Sequence, residues 1–518
     1  MGMTWTKEQQ QVIDLRNRNI LVSAAAGSGK TAVLVERIKE LVLDKKHPVD
    51  IDHLLVVTFT NAAAAQMKER VAKALEKALQ ENPSDVRLQQ QAALVQNAQI
   101  TTIDSFCLYV LRNHFHEIGL EPNFRIGDEG ELKLLREDVM TGLFEQCYEE
   151  KHPGFLHLIS CYGTSRSDAP VRDMIFKLYS YAQSYPWPKQ WLREALSCYE
   201  IKTEQELEHA SFIEMTVEYG KQMVRGYLEQ AEHYLELCQD ADGPYMYEDA
   251  CEQDAELMEE LLSCDTYQAF YEELGKCKFA TLGRAKDYIG SPEKQEQVKT
   301  ERKKLKDGIG KLKSDCFALT FQEILEQLAL VQPSAEALAE VTERFIDAFA
   351  ERKQDKNLVD FSDLEHFALE ILVEEETGKP TETAKEFQNA YEEIMIDEYQ
   401  DSNFIQEALL SAVSGEEEGR WNRFMVGDIK QSIYGFRLAR PELFLEKYHT
   451  YAKDGESQQR IDLDKNFRSR TEVLATANYV FRKLMSPELG GIAYDEAASL
   501  HVGAAFPALP EIEKLEVN

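Results

Sequence analysis

A glycine-rich segment near the start of the chain has the residue types that bind phosphate, and it consists of Ala24, Ala25, Ala26, Gly27, Ser28, Gly29, Lys30 and Thr31. Glycines let backbone N–H groups close around phosphates, and the helix expected after them directs its positive end toward the anion. Lys30 can reach the β and γ phosphates, and Thr31 can place its hydroxyl on Mg²⁺. Ala24 stands where the general pattern has glycine, and a simple glycine turn is the alternative interpretation. The apolar run before the segment favours the phosphate-binding loop.

An acidic segment in the second half of the chain, Asp-Glu-Tyr-Gln-Asp at 397–401, follows an apolar run at 394–396. An aspartate at the end of a strand can hold Mg²⁺, so Asp397 is a candidate metal ligand together with Thr31. A neighbouring glutamate, here Glu398, can orient and deprotonate an attacking water. Acidic runs are also common on solvated helix faces. Paired with the phosphate-binding loop, however, the acidic segment predicts a site for nucleotide hydrolysis.

A third segment, residues 426–437, combines a strand end with polar and aromatic side chains. Gln431 could sense the γ phosphate, while Tyr434 and Phe436 offer faces for base stacking, worth about 1 to 3 kcal/mol per base in single-strand binding. Core aromatics beside a turn are the alternative interpretation. Farther along the chain, Arg468 supplies a fixed positive charge that suits a phosphate in a transition state. Gln431 and Arg468 are therefore candidate catalytic residues.

The elements that must position these residues alternate between strands and helices. Apolar runs predict strands at 19–23, 54–59, 99–102, 393–396 and 423–426. The helical patterns between these runs indicate a parallel sheet of the α/β class. Between residues 108 and 357 the strand signal disappears, which predicts a large all-helical insertion domain. One sheet domain, made of residues 1–107 and 358–450, is therefore expected to be split by the insertion.

Composition limits the kind of protein that the chain can be. The net charge of −34 repels nucleic acid and anionic membranes on average. Residues 276–313 depart from this trend, with ten Lys and two Arg against five acids, and form either a phosphate-contacting surface or a solvated helix face. No stretch approaches the roughly 18 to 20 apolar residues that span a bilayer. Nine cysteines without a CxxC pair predict the reduced thiols of a cytoplasmic protein.

Together, these segments resemble the UvrD-type helicases of superfamily 1, motif by motif. The loop at 24–31 matches the AxxGxGKT form of this family, in which Ala24 is ordinary. Residues 397–401 match its DExQD motif, and residues 427–437 match its GDxxQSIYxxR segment. The resemblance implies a P-loop NTPase fold with RecA-like sheet domains, and it makes residues 451–518 the start of a second such domain.

The resemblance also implies roles for individual residues. Gln9 is expected to read adenine, Phe467 to lie against adenine, and Arg468 to contact the γ phosphate. Residues expected to grip single-stranded DNA are Phe59, Thr60, Asn61, Tyr434, Phe436 and Arg437. Two positions depart from the family pattern: Asp104 stands where many members have histidine, and Phe436 where a tryptophan stacks a base.

The function implied by the resemblance is ATP-driven, Mg²⁺-dependent translocation on single-stranded DNA. Within the family, the long helical insertion is similar to that of helicase–nuclease subunits, which implies action on duplex ends in double-strand break repair, with a partner subunit. The later helicase motifs and the nuclease domain are not found before residue 518, so we interpret the chain as an amino-terminal fragment with little turnover of its own. Two alternatives are a stand-alone UvrD-type repair helicase and a P-loop interaction module, gated by nucleotide, that does not track along DNA.

Overall fold

The computed structural model describes residues 5–164, 167–284, 288–487 and 492–507. The chain divides into two compact units, each assembled from separate stretches of sequence. The sheet unit comprises Met1–Gln146, Phe176–Trp191 and Arg344–Asn518, and the helical unit comprises Cys147–Ile175 and Leu192–Glu343. The boundaries of the helical unit differ from the predicted 108 and 357, because the helical residues next to those limits pack with the sheet.

The elements follow the chain in a regular order. The helices are α1 (Lys7–Asp14), α2 (Lys30–Leu43), α3 (Asn61–Glu81), α4 (Val86–Leu94), α5 (Ile103–His114), α6 (Glu129–Glu149), α7 (Pro153–Tyr162), α8 (Ala169–Ala182), α9 (Pro188–Leu196), α10 (Glu204–Glu208), α11 (Ser211–Gln239), α12 (Glu248–Leu262), α13 (Tyr267–Lys276), α14 (Pro292–Cys316), α15 (Phe321–Asp355), α16 (Phe361–Leu372), α17 (Glu382–Ala390), α18 (Phe404–Ala412), α19 (Pro441–Thr450) and α20 (Thr471–Leu484). The strands are β1 (Asn19–Ala24), β2 (Leu54–Thr58), β3 (Gln99–Thr102), β4 (Arg125–Ile126), β5 (Leu358–Val359), β6 (Glu393–Ile396), β7 (Arg423–Gly427), β8 (Gln458–Leu463), β9 (Lys465–Asn466) and β10 (His501–Val502).

The central sheet of the sheet unit has six strands in the order β3-β2-β6-β7-β1-β8, and every pairing in it is parallel. Its central strands are continuous apolar runs because both faces are covered, as is usual for parallel sheets. The predicted parallel α/β sheet is therefore confirmed. Strand β8 pairs with β1 from Asn19↔Gln458 to Ala24↔Leu463. Residues 458–463 thus belong to this sheet, although the sequence interpretation placed them in the next domain.

Alternate residues of each strand face opposite sides of the sheet, and each side has its own core. On one side, Leu55, Ile394 and Met425 pack with helices that include α5, α16 and α18. On the other side, Leu54 and Phe424 pack with helices that include α2 and α3. Because the sheet is held rigid from both sides, the loops after its strands start from fixed points. The carboxyl ends of parallel strands share one edge, so those loops meet there.

The helical unit has a separate core built from the apolar faces of α11, α12, α13 and α14. Arg302 of α14 lies in this core, only 3% exposed. Its guanidinium donates to the Asp254 carboxylate at 2.9 Å, and the Tyr234 hydroxyl donates to the same carboxylate, also at 2.9 Å. Arg302 is therefore removed from any phosphate-contacting surface at 276–313, because its charge is already neutralised inside the unit. Lys286 and Asp287 of that segment lie outside the described residues.

Hydropathy along the described helices gives one further result. None of them combines the length and the apolar character that crossing a membrane requires.

Candidate functional site

The loop between β1 and α2 contains the predicted phosphate-binding residues. Ala24 ends the strand and Lys30 begins the helix. Gly27 has φ +73° and Gly29 has φ +89°, a left-handed conformation that is strained for residues with a side chain. The start of α2 supplies unpaired N–H groups and the positive end of the helix dipole. The glycines therefore allow the turn that faces this helix end toward an anion.

The residues of this loop fit a triphosphate. The Ser28 hydroxyl oxygen is buried and has no hydrogen-bond partner among the described residues. A buried polar group without a partner is costly, so this hydroxyl is suited to meet a ligand. The Lys30 ammonium lies 3.0 Å from the Glu398 carboxylate oxygen Oε2. The predicted phosphate-binding lysine and the predicted water-activating glutamate thus meet in one place, although 368 positions separate them in the sequence.

The two predicted adenine contacts lie beside the same loop. The side-chain amide of Gln9 donates to the Ser28 carbonyl at 2.9 Å, and its oxygen accepts from the Thr6 backbone at 3.0 Å. Gln9 therefore acts as a helix cap and a loop support, and both of its polar groups have protein partners. Phe467 is 37% exposed, and its backbone N–H donates to the Gly27 carbonyl at 2.9 Å.

Asn466 ties the segment that carries Phe467 and Arg468 to the loop. Its side-chain amide donates to the Ala26 carbonyl at 2.6 Å, and its side-chain oxygen accepts from the Arg468 backbone at 2.8 Å. A Cβ at Gly27 would lie 2.6 Å from the Asn466 nitrogen, so glycine is required there for a second reason. Arg468 itself is exposed beside the loop. Sequence reasoning assigned no role to Asn466, yet it is the residue that positions this segment.

The acidic segment begins where β6 ends. Burial, together with the neighbouring Glu398 carboxylate, raises the pKa of Asp397 to about 6. A divalent cation would favour the ionised form of such a carboxylate, so Asp397 and Thr31 suit Mg²⁺. Glu398 has φ +54°, a left-handed backbone that is uncommon outside glycine. Its side chain is therefore directed by a sharp turn, as is common for residues at functional sites.

Gln400 joins this turn to the end of β7. Its amide donates to Glu398 at 2.9 Å, and its oxygen accepts from the Asp428 backbone at 3.0 Å. The predicted phosphate sensor, Gln431, donates its side-chain amide to the Asp428 carboxylate at 2.8 Å. Gln431 is therefore connected to Glu398 through Asp428 and Gln400. This connection was not part of the sequence prediction.

Four of the predicted DNA-contacting residues form one aromatic stack. The rings of Phe59 and Tyr434 have centroids 4.7 Å apart, and those of Tyr434 and Phe436 are 5.9 Å apart. The Arg437 guanidinium lies 5.4 Å from the Tyr434 ring centroid and 5.7 Å from that of Phe436. Phe436 is 76% exposed. An exposed stack of this kind suits bases, because it would be costly to leave uncovered for any structural purpose.

The two polar residues after Phe59 have local roles. The Thr60 hydroxyl caps α3 by accepting from the Ala63 backbone at 3.1 Å. The side-chain oxygen of Asn61 accepts from the Thr102 hydroxyl at 3.5 Å. Both lie beside the aromatic stack, but neither joins it.

A cavity of about 420 Å³ opens between the aromatic stack and the acidic segment. Its wall includes Phe59, Tyr434, Asp397 and Glu398, so the stack and the hydrolytic carboxylates share one space. Phe361 also lines it and is 60% exposed. Sequence reasoning missed Phe361, because helical spacing puts it on the same face as the buried Leu364.

A parallel sheet with this combination of groups along its carboxyl edge places the protein, as a class, among the helicases of mixed α/β fold. More particularly, the chain belongs to the UvrD/REP helicase family: residues 5–452 match the model of the UvrD/REP helicase N-terminal domain.

Individual relatives agree with this family. The chain is 46% identical to the ATP-dependent helicase/nuclease protein AddA of Lachnoclostridium phytofermentans, over 98% of this chain and 37% of the relative. It is 43% identical to the protein of the same name from Thermoanaerobacter sp., over 99% of this chain and 42% of the relative. The Bacillus pumilus protein of that name is 42% identical over 97% of this chain and 41% of its own length. The chain thus spans about two-fifths of the length of these curated relatives.

Proposed function

We propose that the sheet unit is the ATP-binding motor domain of a DNA helicase that moves along single-stranded DNA. The cavity at the sheet edge carries this proposal, because one wall is the Phe59–Tyr434 stack and another is the Asp397–Glu398 turn. A change at either wall is therefore felt in the same space. Coupling between hydrolysis and the grip on a base requires such proximity or a mechanical link.

The chemistry of the site follows from its residues. ATP bound at the loop supplies the bond to be cleaved. Lys30 would hold its phosphates, with Thr31 and Asp397 as the ligands of Mg²⁺. Glu398, 3.0 Å from Lys30 in this structure, would take a proton from the attacking water once Lys30 pairs with phosphate instead. Arg468 would neutralise charge in the transition state.

The route from the nucleotide to DNA would pass along the ends of β6 and β7. Gln400 contacts both Glu398 and Asp428, and Asp428 accepts from Gln431. Tyr434 follows Gln431 by three residues. We propose that a change at Glu398 reaches the aromatic stack through this chain of hydrogen bonds.

The larger setting of this motor is also a proposal. The relatives are named as AddA proteins of an ATP-dependent helicase/nuclease, so we propose that this chain acts in a helicase–nuclease with a partner of the AddB type. Its substrate would be duplex DNA ends, processed for recombinational repair of double-strand breaks in the cytoplasm.

The DNA part of the proposal is tested by Phe59→Ala. Removing this ring takes one member from the stack, so the affinity for single-stranded DNA should fall by about 1 to 3 kcal/mol, or roughly 5- to 150-fold. Fluorescence anisotropy with a labelled oligonucleotide measures this loss. Tyr219→Ala, which removes a 49% exposed ring from the helical unit, is the matched control and should bind as the unchanged chain does. Equal affinity for Phe59→Ala and the control would refute a DNA grip at this stack.

A further inference from the structure

The cavity beside the aromatic stack has a second lining that the proposed motor function leaves unexplained. Besides the hydrolytic residues, its wall includes the carboxylates of Asp104, Glu365 and Asp401. Asp104 lies in the first turn of α5, just after β3, and Glu365 lies on α16. Its volume of about 420 Å³ falls within the range of small-molecule sites. The cavity is therefore large enough for a group the size of a nucleobase that leaves the stack.

The carboxylates of this lining have few partners. Glu365 is only 9% exposed and accepts from the Gln406 amide at 2.8 Å. Burial raises the pKa of Glu365 to about 7, and burial also raises that of Asp104. Asp401 is 8% exposed, and its oxygen Oδ1 has no hydrogen-bond partner among the described residues. Desolvated acceptors of this kind gain free energy when a ligand brings N–H donors to them.

Two other ligand classes fit the lining less well. The described residues contain no group of three or more His, Cys, Asp or Glu side chains arranged to hold a metal ion. A phosphate would face carboxylates of like charge, which is unfavourable at short range. A neutral base with amino groups avoids both problems, because it brings donors without charge. The aromatic stack at the cavity mouth offers the face against which that base can lie.

We propose that this cavity receives one base of the bound strand, and that Asp104 and Glu365 select bases with an exocyclic amino group. This inference rests on the DNA-binding function proposed above. Cytosine presents its N4 amino group as a donor, whereas thymine and uracil present the O4 acceptor at the same position. Opposite a carboxylate, the amino group forms a hydrogen bond, while O4 leaves two acceptors facing each other. The cavity should therefore favour cytosine over uracil and thymine.

Oligo-dC and oligo-dU of equal length test this preference, because both lack the 5-methyl group and are pyrimidines of similar size. Anisotropy titrations of the whole chain should give about tenfold tighter binding of oligo-dC, the effect of one good base contact. Asp104→Asn and Glu365→Gln replace one carboxylate oxygen with an amide of the same shape. Each should reduce the dC/dU affinity ratio severalfold, because the new amide donates to O4. Phe59→Ala should weaken both oligonucleotides and leave their ratio unchanged.

The outcomes separate this inference from the function on which it rests. Equal binding of oligo-dC and oligo-dU by the unchanged chain would refute base selection while leaving the DNA grip intact. A dC/dU ratio that persists in both isosteric variants would also overturn the inference, since it would place the selection elsewhere. Failure of the unchanged chain to bind either oligonucleotide would remove the proposed function and this inference together. Circular dichroism of the variants, which should match the unchanged chain, shows that each is folded.

Discussion

Replacement of Glu407 by Gln should strongly destabilise the sheet unit. Glu407 of α18 is the common partner of three buried groups beneath the catalytic edge. Its carboxylate lies 2.6 Å from the Arg423 guanidinium and 2.9 Å from the Lys447 ammonium, and it accepts from the Tyr399 hydroxyl at 2.8 Å. Arg423 is 2% exposed. The network connects β7, α18, α19 and the turn after β6, so it fixes the elements that carry the acidic segment.

Two lines of reasoning give the size of the effect. Removing one partner of a buried ion pair typically costs about 3 to 5 kcal/mol, because the other charge is left uncompensated. Independently, the Arg423 and Lys447 charges outweigh burial and lower the pKa of Glu407 from 4.5 to about 2. That shift corresponds to about 3 kcal/mol of preference for the ionised form in the folded state. The two values agree, so we expect a loss of about 3 kcal/mol near neutral pH.

Tryptophan fluorescence isolates the unit concerned, because Trp5, Trp187, Trp191 and Trp421 are all of the tryptophans and all lie in the sheet unit. Guanidinium titrations of Glu407→Gln and the unchanged chain give the difference in unfolding free energy. Glu69→Gln, which breaks an exposed pair with Lys73 on α3, should leave the midpoint nearly unchanged. A loss below about 1 kcal/mol for Glu407→Gln would refute the assigned role.

The same carboxylate predicts a pH dependence with a definite sign. Because its folded pKa is depressed, its contribution is present above pH 4.5 and is lost as pH falls toward 2. The unchanged chain should lose stability over that window, and Glu407→Gln should lose correspondingly less.

Two other buried groups give further predictions. The pKa of Glu365 is raised to about 7, so the unchanged chain should lose stability as pH rises from 4.5 through 7; Glu365→Gln should abolish that loss and be up to about 3 kcal/mol more stable at pH 8. A Glu365→Gln variant with the pH profile of the unchanged chain would contradict this. In the helical unit, Arg302→Ala should cost about 3 to 5 kcal/mol in far-UV circular dichroism melts, because Asp254 loses its buried partner. Lys304→Ala, at an exposed position of the same helix, is the control and should melt as the unchanged chain does.

The framework of this molecule could be predicted from the sequence because its signals are local. Continuous apolar runs predicted the strands, and the residues that follow them predicted which groups lie at the sheet edge. Asp397 follows β6 and Phe59 follows β2, and the shared edge of a parallel sheet then brings them together. The outer strand β8 escaped prediction, since residues 458–463 alternate polar and apolar types and lack the apolar run of a central strand.

What the sequence could not predict depends on partners far apart in the chain. Arg302 looked like part of a basic surface, because nothing near it in sequence announces its pairing with Asp254 across the helical core. The cavity lining escaped for the same reason, since Asp104 and Glu365 belong to helices separated by about half of the chain. A pattern within one helix tells which face is buried, but it does not tell which charge from another helix will lie against that face.

The net charge of −34 takes on a different meaning once the site is built. The aromatic stack carries one cation among the described residues, Arg437, and the cavity beside it is lined by carboxylates, so the proposed DNA track does not form a basic channel. Affinity for a strand must then come mainly from stacking, which is insensitive to the sign of the surrounding potential. A stacked base is released when one ring moves, whereas a phosphate paired with several lysines requires every pair to break. A motor that must release each base in turn is better served by the first arrangement, and an acidic protein can provide it.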